Sequence, residues 1–232
     1  MKPFDHLIFD LDDTLLDTSR LLVPHASKEA CEAMIGAGLQ TDLSQCLLAC
    51  ERHRASRSRL SLFSFLVESF GTRDQTQADD VAKAGYKGFY NRQVEPDISL
   101  APDVEEMLAE LKKRYPLYLV TAGHRPTQEA KIRILKMENY FPIQNIFHID
   151  PSKSEFKGQA FAKIASQSDS APENFLSIGN RVDTDIGEAR KLGWRGCWVR
   201  YGEYAHMQPK DEFEKPDFII DRIQELYTVC RL

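Results

Sequence analysis

The sequence lacks the features of several large protein classes, and each absence narrows the range of functions. No apolar run among the 232 residues approaches the length of a membrane span, and the mean hydropathy is −0.42. The amino terminus lacks the basic-then-apolar pattern of a secretory signal, because Asp5 and His6 interrupt it. We therefore expect a cytoplasmic protein that has no membrane partner.

The balance of acidic and basic residues gives no indication of a nucleic-acid partner. The chain has 30 basic and 35 acidic residues, a formal net charge of −5, so no basic excess suggests a nucleic-acid partner. There is no internal repeat and no low-complexity segment. A hydrophobic fraction of 42% suits one domain with an insertion, or two small domains. Oligomeric state stays open at this point.

The five cysteines do not form a recognisable framework. Their number is odd, and none of them forms a Cys-x-x-Cys pair. Cys46 and Cys50 are one helical turn apart and could share a helix face. The pattern favours reduced, structural thiols over a metal site or a set of disulfides.

Alternating strands and helices dominate the second half of the chain. Short apolar runs predict strands at 117–120, 143–149, 175–178, 197–199 and 218–220, with helices near 102–111, 127–137, 155–166 and 183–192 between them. Residues 7–9 form one more buried strand near the amino terminus. This alternation predicts a parallel sheet covered on both sides, a three-layer α/β/α core of the Rossmann-like kind.

A different pattern separates the first strand from the others. Apolar spacing predicts helices near 24–39, 42–59, 60–70 and 76–94, after a turn at 16–20, and almost nothing there indicates a strand. We therefore expect an all-helical domain over residues 17–100, inserted into a core formed by residues 1–16 and 101–232.

Polar residues follow three of the predicted strands. Asp10, Asp12 and Asp13 come directly after the first strand, and a solvated acidic turn is the simplest alternative explanation for them. The other strand ends carry Thr121, Ala122 and Gly123, and then Asn180, Asp183 and Asp185, while Lys157 lies near the start of a helix. A parallel sheet brings such ends to one edge. Oxygen ligands for Mg²⁺, a hydroxyl, backbone amides and an ammonium together suit phosphoryl transfer.

Three segments resemble a known family. Residues 9–15, Phe-Asp-Leu-Asp-Asp-Thr-Leu, resemble the first motif of the haloacid dehalogenase superfamily of phosphohydrolases. Residues 119–123, Leu-Val-Thr-Ala-Gly, are similar to its second motif, and residues 178–186, followed by Glu-Ala-Arg-Lys-Leu-Gly at 188–193, are similar to its fourth. A helical insertion after the first motif is similar to the family's cap domain.

The resemblance implies a role for each matching residue. Asp10 is expected to be the nucleophile and a metal ligand, and Asp12 the general acid and base, which binds the metal through its backbone carbonyl. Thr121, with the turn at Ala122 and Gly123, is expected to bind the transferring phosphate, and Lys157 to neutralise charge. Asn180 and Asp185 complete the expected Mg²⁺ ligands.

Two positions depart from the family pattern, and a third is ambiguous. Asn180 stands where the family usually has aspartate, so the metal would gain an oxygen ligand without its charge. Ala122 replaces a polar residue, which leaves its phosphate contact to the backbone. Lys153 is a rival to Lys157 for the third motif, and Asp13 is expected only to shape the turn.

These residues predict a Mg²⁺-dependent phosphomonoester hydrolase that acts on a small phosphorylated metabolite through an aspartyl-phosphate. The helical insertion is expected to close over the site and supply specificity. Alternatives of the same fold are a carbon–halogen hydrolase, which would not need Asp12, a phosphomutase, and a phosphonate hydrolase with an imine-forming lysine in the insertion. The alternative from another class is a binding or regulatory protein with weak catalytic activity. Asn180 suggests it, because this residue brings no charge to the expected metal site.

Overall fold

The computed structural model describes residues 3–55, 61–90 and 97–232. The chain divides into two compact units, one made of Met1–Thr18 and Glu95–Leu232 and the other of Ser19–Val94. The first unit contains the sheet, and the second is a set of helices. None of the described helices combines the length and the apolar character that a bilayer crossing requires.

Six parallel strands form a single sheet in the first unit. Their order is β3-β2-β1-β4-β5-β6. The strands are β1 (His6–Phe9), β2 (Leu117–Ala122), β3 (Ile146–Ile149), β4 (Phe175–Gly179), β5 (Arg195–Val199) and β6 (Phe218–Ile220). β1 lies at the centre, with Phe9 in register with Leu119 on one side and Ile178 on the other. The predicted α/β fold with a parallel sheet is therefore confirmed.

Successive strand residues point to opposite faces of the sheet, and the residues of β1 and β4 are buried throughout. Both faces of the sheet are therefore covered by other elements. Ile8 packs with Phe161 and Ile164 on one face, where Phe175 stacks on Trp194 at a centroid distance of 4.7 Å. Phe9 instead contacts Phe141. The helices of this unit are α6 (Pro102–Leu111), α7 (Arg125–Ile134), α8 (Lys157–Ala165), α9 (Gly187–Lys191) and α10 (Leu226–Val229), while α1 (Thr18–Leu21) begins at its boundary.

The second unit has its own apolar core. Its helices are α2 (Val23–Gly36), α3 (Leu43–Ala55), α4 (Leu62–Phe70) and α5 (Ala78–Tyr90). α2 and α5 pack closely because α5 carries glycines at the contact: a Cβ on Gly88 would lie 2.8 Å from the Glu29 carbonyl oxygen. Ser61 caps α4 by accepting a bond from the Ser64 amide at 3.2 Å, and Gly71 ends it at a φ of +70°.

Several element boundaries differ from the sequence prediction. The turn predicted at 16–20 was wrong in part, because α1 begins at Thr18. The strand predicted at 143–149 starts at Ile146, after a 3₁₀ turn. The helix predicted at 183–192 is instead a π turn, Val182–Ile186, followed by α9, and α10 was not predicted. The predicted ends of two helices, at 56–59 and 91–94, lie outside the described residues.

Candidate active site

The carboxyl ends of the central strands bring the predicted site residues together. The Asp10 amide donates to the Ile178 carbonyl at 2.9 Å, which extends the pairing of β1 and β4 by one residue. Beyond that point both strands stop, and on the other side β2 ends at Ala122. The side chains that follow β1, β2 and β4 therefore share one edge of the sheet.

Lys157 joins two of these strand ends. It is the first residue of α8, it is 4% exposed, and its Nζ atom lies 2.7 Å from Oδ1 of Asp10 and 2.5 Å from Oδ1 of Asp185. Both carboxylates are buried as well. Because an unpaired buried charge is costly, the ammonium is what allows two carboxylates to approach each other here.

The electrostatics of this group follow from burial and from that pairing. Burial raises the pKa of Asp10 to about 7, although the Lys157 ammonium opposes the rise. Burial also opposes the charge on Lys157, but the carboxylates of Asp10 and Asp185 outweigh it and raise the pKa of Lys157 above its ordinary value. Lys157 is thus a permanent cation beside a carboxyl group that titrates near neutrality.

The π turn after β4 sets the position of Asp185. Oδ2 of Asp185 accepts a bond from the Arg181 amide at 2.9 Å, and its carbonyl accepts one from Oγ of Ser177 at 2.8 Å. A Cβ on Gly179 would lie 2.3 Å from Cγ of Asp185, so only glycine fits beneath this carboxylate. Asp185 therefore lies within the π turn with its Oδ1 atom against Nζ of Lys157.

Asp12 is held by groups that the sequence prediction did not include. Oδ1 of Asp12 accepts bonds from Nζ of Lys131 at 2.6 Å and from the Thr18 hydroxyl, and Oδ2 accepts one from Nε2 of Gln128 at 2.7 Å. Burial opposes the charge of Asp12, but Lys131 and these hydrogen bonds lower its pKa below the ordinary value. Asp12 is therefore ionised and fixed in this structure.

The sequence does carry a signal for the two missed residues. Gln128, Lys131 and Leu135 follow one another at helical spacing, and all three are buried. A lysine and a glutamine in line with an apolar position need a buried partner, because their polar groups would otherwise lose hydration without compensation. That partner is Asp12.

The carboxyl end of β2 carries a buried hydroxyl to which no described residue forms a hydrogen bond. Thr121 is fully buried, and its Oγ1 atom has no hydrogen-bond partner within the described part of the chain. Gly123 has a φ of +152° and donates its amide to the Ile149 carbonyl at 2.9 Å, while Nε2 of Gln128 lies 3.2 Å from the Ala122 carbonyl. A buried hydroxyl without a partner needs a ligand oxygen to satisfy it.

The remaining predicted residues lie in different surroundings. Asn180 is 3% exposed, and its backbone carbonyl accepts a hydrogen bond from Nε1 of Trp198 at 2.9 Å. Asp183 forms an ion pair with Arg181 at 2.7 Å and is not part of the Lys157 group. Asp13 has a φ of +52° in the turn after β1, as expected for a residue that shapes it.

Lys153, the rival for the third motif, lies on the surface. Its side chain is 62% exposed, and its nearest carboxylate oxygen, on Asp150, is 4.0 Å away. The geometry favours Lys157, whose side chain is 5% exposed and contacts two carboxylates.

The donor set fits a hard divalent cation. Asp10 and Asp185 offer carboxylate oxygens, Asn180 a buried amide, and the Asp12 carbonyl lies two residues beyond Asp10 on the same turn. Because three carboxylates face two lysines, one divalent ion would change the local charge from negative to positive. That change would suit an anionic substrate near the unpartnered Thr121 hydroxyl.

Comparisons with known proteins agree with this geometry. The glyceraldehyde 3-phosphate phosphatase of Methanopyrus kandleri is 30% identical over 97% of this chain and 96% of its own. The magnesium-bound structure of YfnB from Bacillus subtilis has a TM-score of 0.64, with 19% identity over 98% of both chains. A predicted phosphoglycolate phosphatase from Haemophilus somnus has a TM-score of 0.67, with 18% identity over 98% of both chains.

The family of this chain is identified by a match to a family model. The model of haloacid dehalogenase-like hydrolases matches residues 4–193, a range that contains every site residue predicted from the sequence. The predicted family and the predicted enzyme class, a hydrolase, are thus both confirmed. Taken with the parallel sheet and the strand-end carboxylates, the match shows that this chain belongs to the haloacid dehalogenase-like hydrolase family.

Proposed function

We propose that the protein is a Mg²⁺-dependent phosphomonoester hydrolase that acts on a small phosphorylated metabolite. The observation that carries the proposal is the buried ammonium of Lys157, which contacts Asp10 and Asp185 at 2.7 and 2.5 Å. A lysine there neutralises both a carboxylate nucleophile and an incoming phosphate, which would otherwise repel each other. Named phosphatases among the relatives support the same reaction class.

Asp10 would act as the nucleophile. One of its carboxylate oxygens forms a bond to phosphorus while the bond from phosphorus to the substrate oxygen breaks, which leaves an aspartyl-phosphate. Lys157 opposes the effect of burial on the pKa of Asp10, so a larger fraction of that carboxylate is ionised near neutral pH than burial alone would allow. Water then attacks the phosphorus, the bond to Asp10 breaks, and phosphate leaves.

Asp12 would move the protons of both steps. Once it has taken a proton from solvent, it gives that proton to the departing substrate oxygen and later takes one from the attacking water. In the structure its pKa is lowered by Lys131, Thr18 and Gln128, so Asp12 must leave Lys131 to become a useful acid. We infer that Lys131 holds Asp12 in a resting position and that substrate binding releases it.

Phosphate oxygens would be bound at the turn after β2. The Thr121 hydroxyl is buried and lacks a partner among the described residues, and a phosphate oxygen would supply one. The Gly123 amide already donates to the Ile149 carbonyl, so at this strand end the Thr121 hydroxyl is the group that would meet the phosphate.

Asp10, Asp185, Asn180 and the Asp12 carbonyl are the groups that would hold Mg²⁺. When bound, the ion supplies positive charge that screens the phosphate from the carboxylates. Asn180 brings oxygen without charge, so we expect weaker metal binding than a carboxylate at that position would give. The magnesium-bound structure of YfnB supports this choice of metal.

The substrate is best sought among small sugar phosphates. Glyceraldehyde 3-phosphate comes first, because the relative from Methanopyrus kandleri is named for it. The role of the helical unit as a specificity-determining cap stays a prediction.

The test measures phosphate release by the purified full-length chain. An aryl phosphate and a panel of phosphorylated metabolites, headed by glyceraldehyde 3-phosphate, are assayed with Mg²⁺ and after complete metal removal. Asp10→Asn should abolish turnover, whereas Asp13→Asn is the matched control, because asparagine tolerates the positive φ of that turn. Asp13→Asn should keep most of the activity.

Three results would contradict the proposal. Full activity after metal removal would contradict the metal-dependent mechanism, and an Asp10→Asn variant with normal turnover would assign the nucleophile elsewhere. Halide release from a 2-haloacid without phosphate release would support the carbon–halogen hydrolase. An intact, folded protein with no turnover of any substrate would support the binding or regulatory alternative.

A further inference from the structure

Three cysteines meet in the core of the helical unit, which contains none of the site residues described above. Cys31 lies on α2, and Cys46 and Cys50 lie on α3. All three are free and fully buried, and their Sγ atoms lie within 4.8 Å of one another, with Cys31 and Cys50 at 3.6 Å. The proposed phosphatase reaction uses none of them.

Helical spacing aims the three thiols at one point. Cys46 and Cys50 are four residues apart, so both lie on the same face of α3, and that face packs on α2, where Cys31 is buried. The arrangement therefore takes its geometry from two regular helices and from no loop. A site held by regular helices is rigid enough to select among ligands.

The distances match those of sulfur atoms that share one soft metal ion. Three sulfurs placed about 2.3 Å from a common ion lie roughly 3.8–4.0 Å apart in tetrahedral or planar geometry. The Sγ atoms of Cys31 and Cys50 are 3.6 Å apart, close to that range, and the other two separations are no more than 4.8 Å. No His, Asp or Glu among residues 3–55, 61–90 and 97–232 joins the group, so the ligands number three and all are sulfur.

A half-buried cation, Arg54, lies near the thiols. Nη1 of Arg54 donates to Oγ of Ser27 at 3.2 Å, across the same pair of helices. Arg54 is one turn beyond Cys50, and Ser27 is one turn before Cys31. The guanidinium therefore lies one turn from the sulfur cluster and offsets the negative charge that bound thiolates would bring into an apolar core.

We propose that Cys31, Cys46 and Cys50 form a binding site for one soft d¹⁰ cation of the Cu(I) type, held by three thiolates. Thiolate ligands select soft ions, and a three-sulfur set without a fourth group suits Cu(I) better than Zn²⁺, which takes four ligands. Each thiol that binds the ion releases its proton to solvent, so binding is accompanied by proton release. The alternative is that the thiols only fill the core.

The first experiment uses the reduced wild-type chain without oxygen. Cu(I) is supplied from a chromophoric chelator, to the folded protein and during refolding, and the bound metal is counted. X-ray absorption then counts the sulfur neighbours of the bound ion. We expect one ion per chain with three sulfur neighbours. The proposal would be overturned if Cu(I) bound neither to the folded protein nor during refolding. It would also be overturned if the bound ion had only two sulfur neighbours.

Variants locate the ion. Replacing Cys31, Cys46 or Cys50 by serine should weaken Cu(I) binding by more than about 100-fold, because even the loss of an outer-shell partner costs 10–100-fold. Cys197→Ser is the matched control, since it removes one thiol of the other close buried pair, whose Sγ atoms are 3.7 Å apart. It should leave binding unchanged.

Two further outcomes would count against a three-thiolate Cu(I) site. If the ion is lost in Cys197→Ser and kept in Cys31→Ser, it sits in the first unit and the cluster has only a packing role. If Zn²⁺ displaces Cu(I), the three-coordinate assignment is wrong. The X-ray absorption count needs no variant, so it decides the question even where a serine variant does not fold.

Discussion

Removal of the Lys157 ammonium is the sharpest test of the site. Lys157→Met keeps most of the side-chain length and its apolar stem but leaves Asp10 and Asp185 facing each other without compensation. Those carboxylates are 8% and 1% exposed, and Lys157 now lies 2.7 and 2.5 Å from them. Breaking a buried pair by removing one partner costs about 3–5 kcal/mol, so we expect a loss of that size near pH 8.

The loss should depend on pH in a defined direction. The pKa of Asp10 is about 7 in the folded protein against an ordinary value of 3.8, so the folded state binds a proton that the unfolded state has released. Stability in metal-free buffer therefore falls as the pH rises through this window. Without Lys157 the pKa of Asp10 rises further, so the deficit of the variant is largest in alkali and shrinks in acid.

Urea unfolding at about pH 5 and about pH 8 measures this difference, in buffer without Mg²⁺. Lys153→Met is the matched control, because that lysine is four residues away and its side chain is 62% exposed. It should change stability by less than about 0.5 kcal/mol at either pH. A Lys157→Met deficit that is equal at both pH values, or no larger than that of the control, would refute the pairing.

Three further predictions follow from contacts in the same unit. Lys131→Met should raise the pKa of Asp12, so the alkaline fall of kcat/KM should move to higher pH, because the leaving oxygen needs protonated Asp12. Mg²⁺ should raise the Tm more at about pH 8 than at about pH 5, because protons compete for the carboxyl group whose pKa is about 7. Gly179→Ala should cost about 1–3 kcal/mol in urea unfolding, because its Cβ would overlap Asp185, whereas Gly36→Ala, with open space around it, should cost less than about 1 kcal/mol.

Each of these predictions has a contrary result. An unchanged pH profile in Lys131→Met would mean that Asp12 is not the acid whose protonation limits kcat/KM. A Tm shift by Mg²⁺ that is larger in acid would mean that the metal does not use the Asp10 carboxylate. Equal stability of the two alanine variants would mean that the turn at Gly179 adjusts without strain.

The grouping of the main site residues was predictable because a parallel sheet brings its strand ends to one edge. Asp10, Thr121 and Asp185 follow strands that the apolar pattern predicts, and the pairing of β1 with β2 and β4 puts those ends side by side. Lys157 was the preferred lysine for the third motif, and its contacts agree with that choice. The catalytic roles themselves stay predictions until activity is measured.

The partners of Asp12 were not predictable to the same degree. Lys131 and Gln128 come from α7, and a contact more than a hundred residues away in sequence depends on how that helix packs. Periodicity indicates that Lys131 lies on a buried face but does not show which carboxylate it meets. The π turn was missed for a related reason. The hydrogen bonds that position Asp185 come from Arg181 and Ser177, and the spacing of apolar residues does not predict such bonds.

The central place of β1 has a consequence for biosynthesis. β1 is made first, yet its hydrogen-bonding neighbours are β2, which begins at Leu117, and β4, which ends at Gly179. At typical translation rates the apolar segment Leu7–Phe9 waits roughly 10–30 s before both neighbours have been made. The helical unit, whose contacts lie within Ser19–Val94, can fold in that interval. Ribosome-bound chains that stop before β4 should therefore expose an unpaired apolar strand beside a folded helical unit, and chaperones that bind extended apolar segments should recognise them there.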